Sequence, residues 1–183
     1  AEAFREARVV NSAVEQLSAT EVSAVNSAMK EVHADRMTVQ NSAIAMAQAG
    51  RASITGSAVG AVVAQERASV VNGGALAFAG GEAVSVTNGG GIALAGGNVM
   101  EVTNGGGMVM VAGNQISIRN GGGGLLLAGQ AEVEGGVVAF LLSGSATIHK
   151  DAKILLATPQ AAALGAALGL VFALVSRLLR LKE

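Results

Sequence analysis

The chain has no cysteine, no tryptophan and no tyrosine, and only one proline and four phenylalanines in 183 residues. Without cysteine there are no disulfides and no thiolate metal sites, and the redox compartment stays open. Without large aromatics a thick globular core loses its usual source of buried area. The apolar residues are Val, Ile, Leu, Met and Ala, which suit thin, closely stacked layers. Charge is scarce and nearly balanced, with a formal net charge of −1. That gives no long-range attraction to nucleic acid, and none is expected as a partner.

What is abundant is glycine, 26 residues, and it is placed periodically. One short unit begins at Asn11, Asn26, Asn41, Gly56, Asn72, Asn88, Asn104, Asn120 and Gly135, at steps of 15 or 16 residues. A period that short holds a single coil of chain. Each coil buries its apolar side chains only by stacking on its neighbours, so the sequence predicts a solenoid.

Four and two residues before each start stand apolar pairs: Val22/Ala24, Met37/Val39, Ala52/Ile54, Ala68/Val70, Val84/Val86, Met100/Val102, Ile116/Ile118, Ala131/Val133 and Ala146/Ile148. The residue between is mostly Ser or Thr. Apolar, polar, apolar at period two is a half-buried strand, with the pair inward and the hydroxyl outward. The Asn and its glycines then make a turn, because both residue types tolerate positive φ. Asn11, Asn26, Asn41, Asn72, Asn88, Asn104 and Asn120 share one phase. Stacked, their amides are expected to form a ladder. The plainer reading, that each Asn merely fits its turn, is compatible with it.

A second strand follows: LAFAG at 76–80, IALAG at 92–96, MVMVAG at 108–113, LLLAG at 125–129. Both alternating sets are apolar. Leu76/Phe78, Ile92/Leu94 and Met108/Met110 are expected on one side, and Ala77/Ala79, Ala93/Ala95, Val109/Val111 and Leu125/Leu127 on the other. A strand apolar on both faces is normally covered on both. The outer set grows in bulk toward VVAFLL at 137–142, whereas the early coils place Glu15, Gln16, Lys30, Glu31 and His33 there. A continuous outward apolar stripe marks an interface. Identical copies are the expected partners, with Ala93, Ala95, Val109, Val111, Leu125 and Leu127 in the contact. A second Gly-containing corner, such as Gly96–Gly97, closes the coil. A flattened two-sheet coil and a rounded three-sided one are both compatible with this pattern.

Thr158-Pro159 reads as N-cap and first helical residue. From Ala161 to Val175 no residue is polar or charged, and extension to Leu179 spans about 28 Å as a helix, close to the hydrocarbon thickness. Arg177 and Arg180 suit a headgroup region. Ala161, Gly165, Gly169 and Ala173 form a row of small residues where helices approach closely. The sequence thus predicts an all-β, single-chain parallel solenoid of about nine coils over 11–157. A lead-in or cap precedes it at 1–10, and an apolar transmembrane α-helix follows at 158–183, meeting the bilayer through 159–180. A soluble capping helix is the alternative for that segment. The basic residues after it lean toward a cytoplasmic C-terminus and an exported solenoid. That topology needs a leader removed ahead of Ala1. A tail-anchored topology keeps the solenoid in the cytoplasm, and the two stay open.

Catalytic, cofactor and metal sites are all expected to be absent. His33 and His149 are about eight layers apart, too far to share a metal within one chain. The strict six-residue period of hexapeptide acyltransferases is missing. Glycine runs such as 89–91 precede strands, whereas a phosphate loop precedes a helix. A calcium-binding roll needs an Asp in every repeat, and only Asp35 and Asp151 occur. An ice-ordering hydroxyl face is interrupted by Glu101, Arg119 and Glu132.

The V-S-V-T-N-G-G rows, apolar strands and glycine corners over 11–149 resemble bactofilins, the polymerising bacterial β-solenoid scaffolds. The coil here is shorter, and the Asn at each turn and the C-terminal apolar segment depart from that family. The resemblance implies a scaffold role. The expected function is structural: a membrane-anchored homo-oligomeric stalk, spacer or assembly scaffold. A binding module, whose polar N-terminal coils dock a partner protein, is the rival.

Overall fold

A computed structural model describes residues 4–157; the expected helix over 158–183, with Gly165 and Gly169, lies outside the described residues. The described residues form an all-β parallel solenoid of about nine coils. Its strands are β1 (Phe4–Val10), β2 (Ala13–Val25), β3 (Ala28–Gln40), β4 (Ala43–Thr55), β5 (Ala58–Val71), β6 (Gly74–Gly80), β7 (Ala83–Thr87), β8 (Gly90–Gly96), β9 (Val99–Thr103), β10 (Gly106–Ala112), β11 (Gln115–Ile148) and β12 (Ala152–Ala157). All pairings are parallel, and each residue pairs with the one 15 or 16 positions on. Among the described residues no helix is long and apolar enough to cross a membrane.

Inward residues settle the cross-section. In β3 and the turn before it the buried or partly buried positions facing inward are Ser27, Met29, Val32, Ala34, Met37 and Val39. The steps alternate between two and three. A step of two is strand pleat. A step of three leaves two successive residues outward, which marks a bend. Three such pairs fill fifteen residues, so the coil is three-sided with five residues per side. The register then builds straight interior columns: Val70 on Val86, Val86 on Val102, Val102 on Ile118, all buried. Ser85 and Ser117 stand outside, half-buried.

This geometry corrects the expected alternation along the second strand. Phe78, Leu94 and Met110 are 1%, 2% and 0% exposed, but Leu76, Ile92 and Met108 are 62%, 51% and 65% exposed. Period two does not carry through a corner, where the pleat skips a beat. The same bend divides VVAFLL: Val138 and Leu141 point inward, while Val137, Phe140 and Leu142 are exposed. The pair Ala146/Ile148 is also exposed, unlike the eight before it. It lies in the last layer, where β12 pairs only with residues 136–141 of the coil below.

The sixteenth residue enters at one corner. The β4–β5 register shifts between Ala49 and Arg51, so Gln65 and Glu66 stand opposite Gly50 alone. Later coils keep this wider corner as bends at 81–82, 97–98 and 113–114. A Cβ on Gly97 would collide with the carbonyl oxygen of Gly81, and one on Gly81 with that of Gln65. Only glycine fits so close a backbone stack.

The unit starts form the sharpest corner. Seven of them are Asn with φ between 49° and 52°, and the other two are Gly56 (φ 59°) and Gly135 (φ 73°). This left-handed conformation is disfavoured for most L-residues, and Asn and Gly adopt it most readily. Asn88 Nδ2 donates to Asn72 Oδ1 at 3.0 Å, and Asn104 Nδ2 to Asn88 Oδ1 at 3.0 Å. The N-terminal coils add a serine stack one residue later. The backbone N–H of Ser27 donates to Ser42 Oγ, and that of Ser42 to Ser57 Oγ, each at 3.0 Å. Each hydroxyl in turn donates to a carbonyl two residues back, Ser42 to Gln40 and Ser57 to Thr55.

Candidate functional site

Because every coil repeats the same three sides, function has to be read from the outward columns. On the second side two columns run the length of the stack. One passes through Gln16, Glu31, Met46, Ala61, Ala77, Ala93, Val109 and Leu125. The other passes through Ser18, His33, Gln48, Val63, Ala79, Ala95, Val111 and Leu127. Both change from polar to apolar at the third and fourth coils. Ala93 and Ala95 are exposed, Val109 and Val111 are 38% and 40% exposed, and Leu125 and Leu127 are half-buried. The six residues therefore lie in two adjacent columns of one side.

A third column, at the corner between the first and second sides, holds Leu76, Ile92 and Met108. Simple alternation groups these with the inward Phe78, Leu94 and Met110. The available signal was the two-three spacing of the inward residues, which the Gly-Gly pairs before them obscure. Together the three columns make an apolar wall over the C-terminal half of the rod, continued by the exposed Phe140 and Leu142. Among the described residues nothing covers it.

The polar half of the second side is a different surface. Ser18, Thr20, His33, Asp35, Gln48 and Gln65, with the exposed Val63, ring an open groove of about 350 Å³ floored by Ala19, Ala34, Ala49 and Gly50. Small floor residues and longer rim residues produce the concavity. Beside it, His33 Nε2 lies 3.1 Å from Glu31 Oε1, and Gln16 Nε2 donates to Glu31 Oε2 at 3.1 Å. The groove and the residues beside it offer hydrogen-bonding capacity in a shallow, open site. Among the described residues no three of His, Asp and Glu come close enough to hold a metal ion.

The third side carries the charge. Arg36, Arg51 and Arg67 are in register. Carboxylates from flanking coils compensate part of it: Glu21 lies 4.0 Å from Arg36, and Glu66 pairs with Arg51. Further along, Ser85, Glu101 and Ser117 share one column, so the hydroxyl face is broken. Arg119 and Glu134 stack across coils at 3.6 Å. Such exposed pairs add little stability, but they make this side polar where the C-terminal half of the second side is apolar.

No family model, no curated protein and no solved structure matches the chain.

Proposed function

We propose that the chain is a non-enzymatic structural protein, a homo-oligomeric β-solenoid that serves as stalk, spacer or assembly scaffold and is held at a membrane by residues 159–180. The observation that carries this reading is the apolar wall. A wall of aligned Val, Leu, Ile, Met and Phe side chains facing water is unusual on a monomer and is relieved by covering it. Matching walls of identical chains supply that cover with the same coil spacing. Burial contributes roughly 25 cal/mol per Å² of apolar surface. The apolar run Ala161–Val175 supports the anchor, because its length and lack of polar residues suit a hydrocarbon layer. The row Gly165 and Gly169 suits close helix packing there. The likeness of the repeat to bactofilin scaffolds supports the role by analogy alone.

The test is the particle mass of the full chain in mild detergent, with every component identified. Val111→Lys with Leu127→Lys is expected to dissociate the particle, because burying two ammonium groups per chain opposes association. Gly165→Leu with Gly169→Leu is expected only to loosen it. An unchanged mass for the lysine pair removes the wall as the interface. The polar groove at Ser18, His33 and Gln48 supports a second reading, a module that docks a foreign protein at the N-terminal coils. A stoichiometric foreign subunit in the same particle selects it.

A further inference from the structure

The chain leaves the solenoid at the end of the apolar wall. β12 lies one layer past residues 136–141, and its last residue, Ala157, pairs with Leu141. Leu141 is buried at the start of the second side, and the exposed Phe140 and Leu142 of the wall flank it. Residues 158–183 therefore set out from the C-terminal end of that wall. Toward the N-terminus the wall runs back to Ala61 and Val63. That is roughly five coil spacings, about 24 Å. The run Ala161–Val175 would be about 22 Å long as a helix, with residues 158–160 left for a reversal. Next along the chain come Arg177, Arg180 and Lys182, then the single carboxylate of Glu183. Next along the second side come the polar coils, where the carboxylates of Glu15, Glu31 and Asp35 outnumber the ammonium of Lys30. A segment folded back along this side sets apolar against apolar and basic against acidic, in the same order.

We propose that in water residues 160–182 fold back along the wall of their own chain, and that a lipid bilayer draws them off and bares it. This rests on the reading of 159–180 as a membrane anchor and adds where the anchor lies before a membrane is met. In water the chain has two apolar surfaces to cover, the wall and the segment. Two copies packed wall to wall cover the first and leave both segments wet. Wall and segment of one chain cover each other with no partner at all. The tether also favours this contact, because a linked segment meets the wall at an effective concentration on the order of mM.

The composition of the segment sets the direction of the exchange. The run 161–175 is apolar all round, so against the wall one face is covered and the opposite face stays in water. A bilayer covers every face, and each further area of apolar surface removed from water adds to the preference. The bilayer thus binds the released state better and shifts the population toward it. Release bares the wall only at a membrane, where chains are anchored from the same end and lie side by side. Assembly is thereby tied to anchoring, and chains in water are kept apart.

The chain has no cysteine, so two introduced thiols are the only ones. Val111 stands near the middle of the wall and is 40% exposed, and Leu168 stands near the middle of the apolar run. The full chain carrying Val111→Cys and Leu168→Cys is synthesised in a membrane-free translation mixture and treated with a short bis-maleimide. An intrachain link is expected, at a yield independent of chain concentration. Vesicles of phosphatidylcholine and phosphatidylglycerol, present during synthesis, are expected to lower that yield at least tenfold. Ser85→Cys with Leu168→Cys, whose first member lies on the third side, is expected to stay unlinked. No intrachain link in water, an equal yield from the Ser85 pair, or a yield that vesicles leave unchanged overturns the inference. The homo-oligomer is tested separately by the particle mass in detergent. If Val111→Lys with Leu127→Lys dissociates the particle but no intrachain link forms in water, the fold-back is wrong and the homo-oligomer stands. If the link forms and vesicles release it but the lysine pair leaves the mass unchanged, the fold-back stands and the wall is not the contact between copies.

Discussion

Replacing Asn88 separates the two jobs that the structure gives Asn72, Asn88 and Asn104, a turn at positive φ and a place in the amide ladder. Its φ is 51°, and its amide both donates to Asn72 and accepts from Asn104. Asn88→Gly keeps the backbone conformation and removes both amide bonds. Gly56 and Gly135 already occupy this phase with positive φ, so the corner itself tolerates glycine. Two exposed side-chain hydrogen bonds near the low end of the usual range are worth about 1–2 kcal/mol together. Asn88→Ala loses the same bonds and also forces a Cβ into the left-handed region. Alanine at positive φ is less stable than glycine by about 1 kcal/mol or more, even after the greater freedom of unfolded glycine is counted. The expected order of stability is the parent, then Asn88→Gly, then Asn88→Ala. Thermal unfolding followed by circular dichroism reads it. For a chain of this length, 1 kcal/mol moves the midpoint by about 2–4 °C. If Asn88→Ala melts with or above Asn88→Gly, the positive φ is not what selects asparagine. If Asn88→Gly melts with the parent, the amide ladder contributes nothing.

Much of the fold is legible in the sequence because a solenoid repeats its evidence. The coil boundaries, the inward pairs such as Val86 and Val102, and the glycine corners all recur at one phase. The nine unit starts share one conformation because stacking forces the same backbone path on each coil, and Asn and Gly are the residues that accept it. Three features are hidden for physical reasons. The three-sided section rests on a pleat that skips at corners, and Leu76-Ala77-Phe78 looks like ordinary alternation unless Ala75 is counted as inward. The serine stack at Ser27, Ser42 and Ser57 is masked by the neighbouring Asn or Gly, since Asn-Ser and Gly-Ser read as turn composition. The widened corner at Gln65–Glu66 shows in the sequence only as a change of step from 15 to 16. The outward residues of the second side are correctly grouped by their alternation with the inward set. Their role is a separate matter, since a column of Val111 and Leu127 specifies hydrophobic cover and leaves its source open.

Three further outcomes test the molecule. Val102→Asp buries a carboxylate in a column between Val86 and Ile118 and is expected to cost several kcal/mol, while Ser85→Asp, on the outer face, leaves the melting midpoint nearly unchanged. Equal midpoints for the two refute the register. Gly97→Ala drives a methyl into the Gly81 carbonyl oxygen and must spread two coils, so protection of backbone amides from hydrogen exchange is expected to fall around residues 81–99. Uniform protection along the rod refutes the close stack. Removal of residues 158–183 tests the proposed anchor apart from the proposed assembly. The apolar segment 161–175 and the wall ending at Leu142 are different parts of the chain, so the fragment 1–157 is expected to leave the membrane fraction and still to self-associate as concentration rises in sedimentation velocity. Val111→Lys with Leu127→Lys in that fragment is expected to abolish the association, because in water the exposed wall has a hydrophobic drive that helix packing in lipid lacks. A fragment that stays with the membrane shows that the wall or a partner attaches it. A fragment that stays monomeric at every concentration shows that assembly depends on the segment after Ala157.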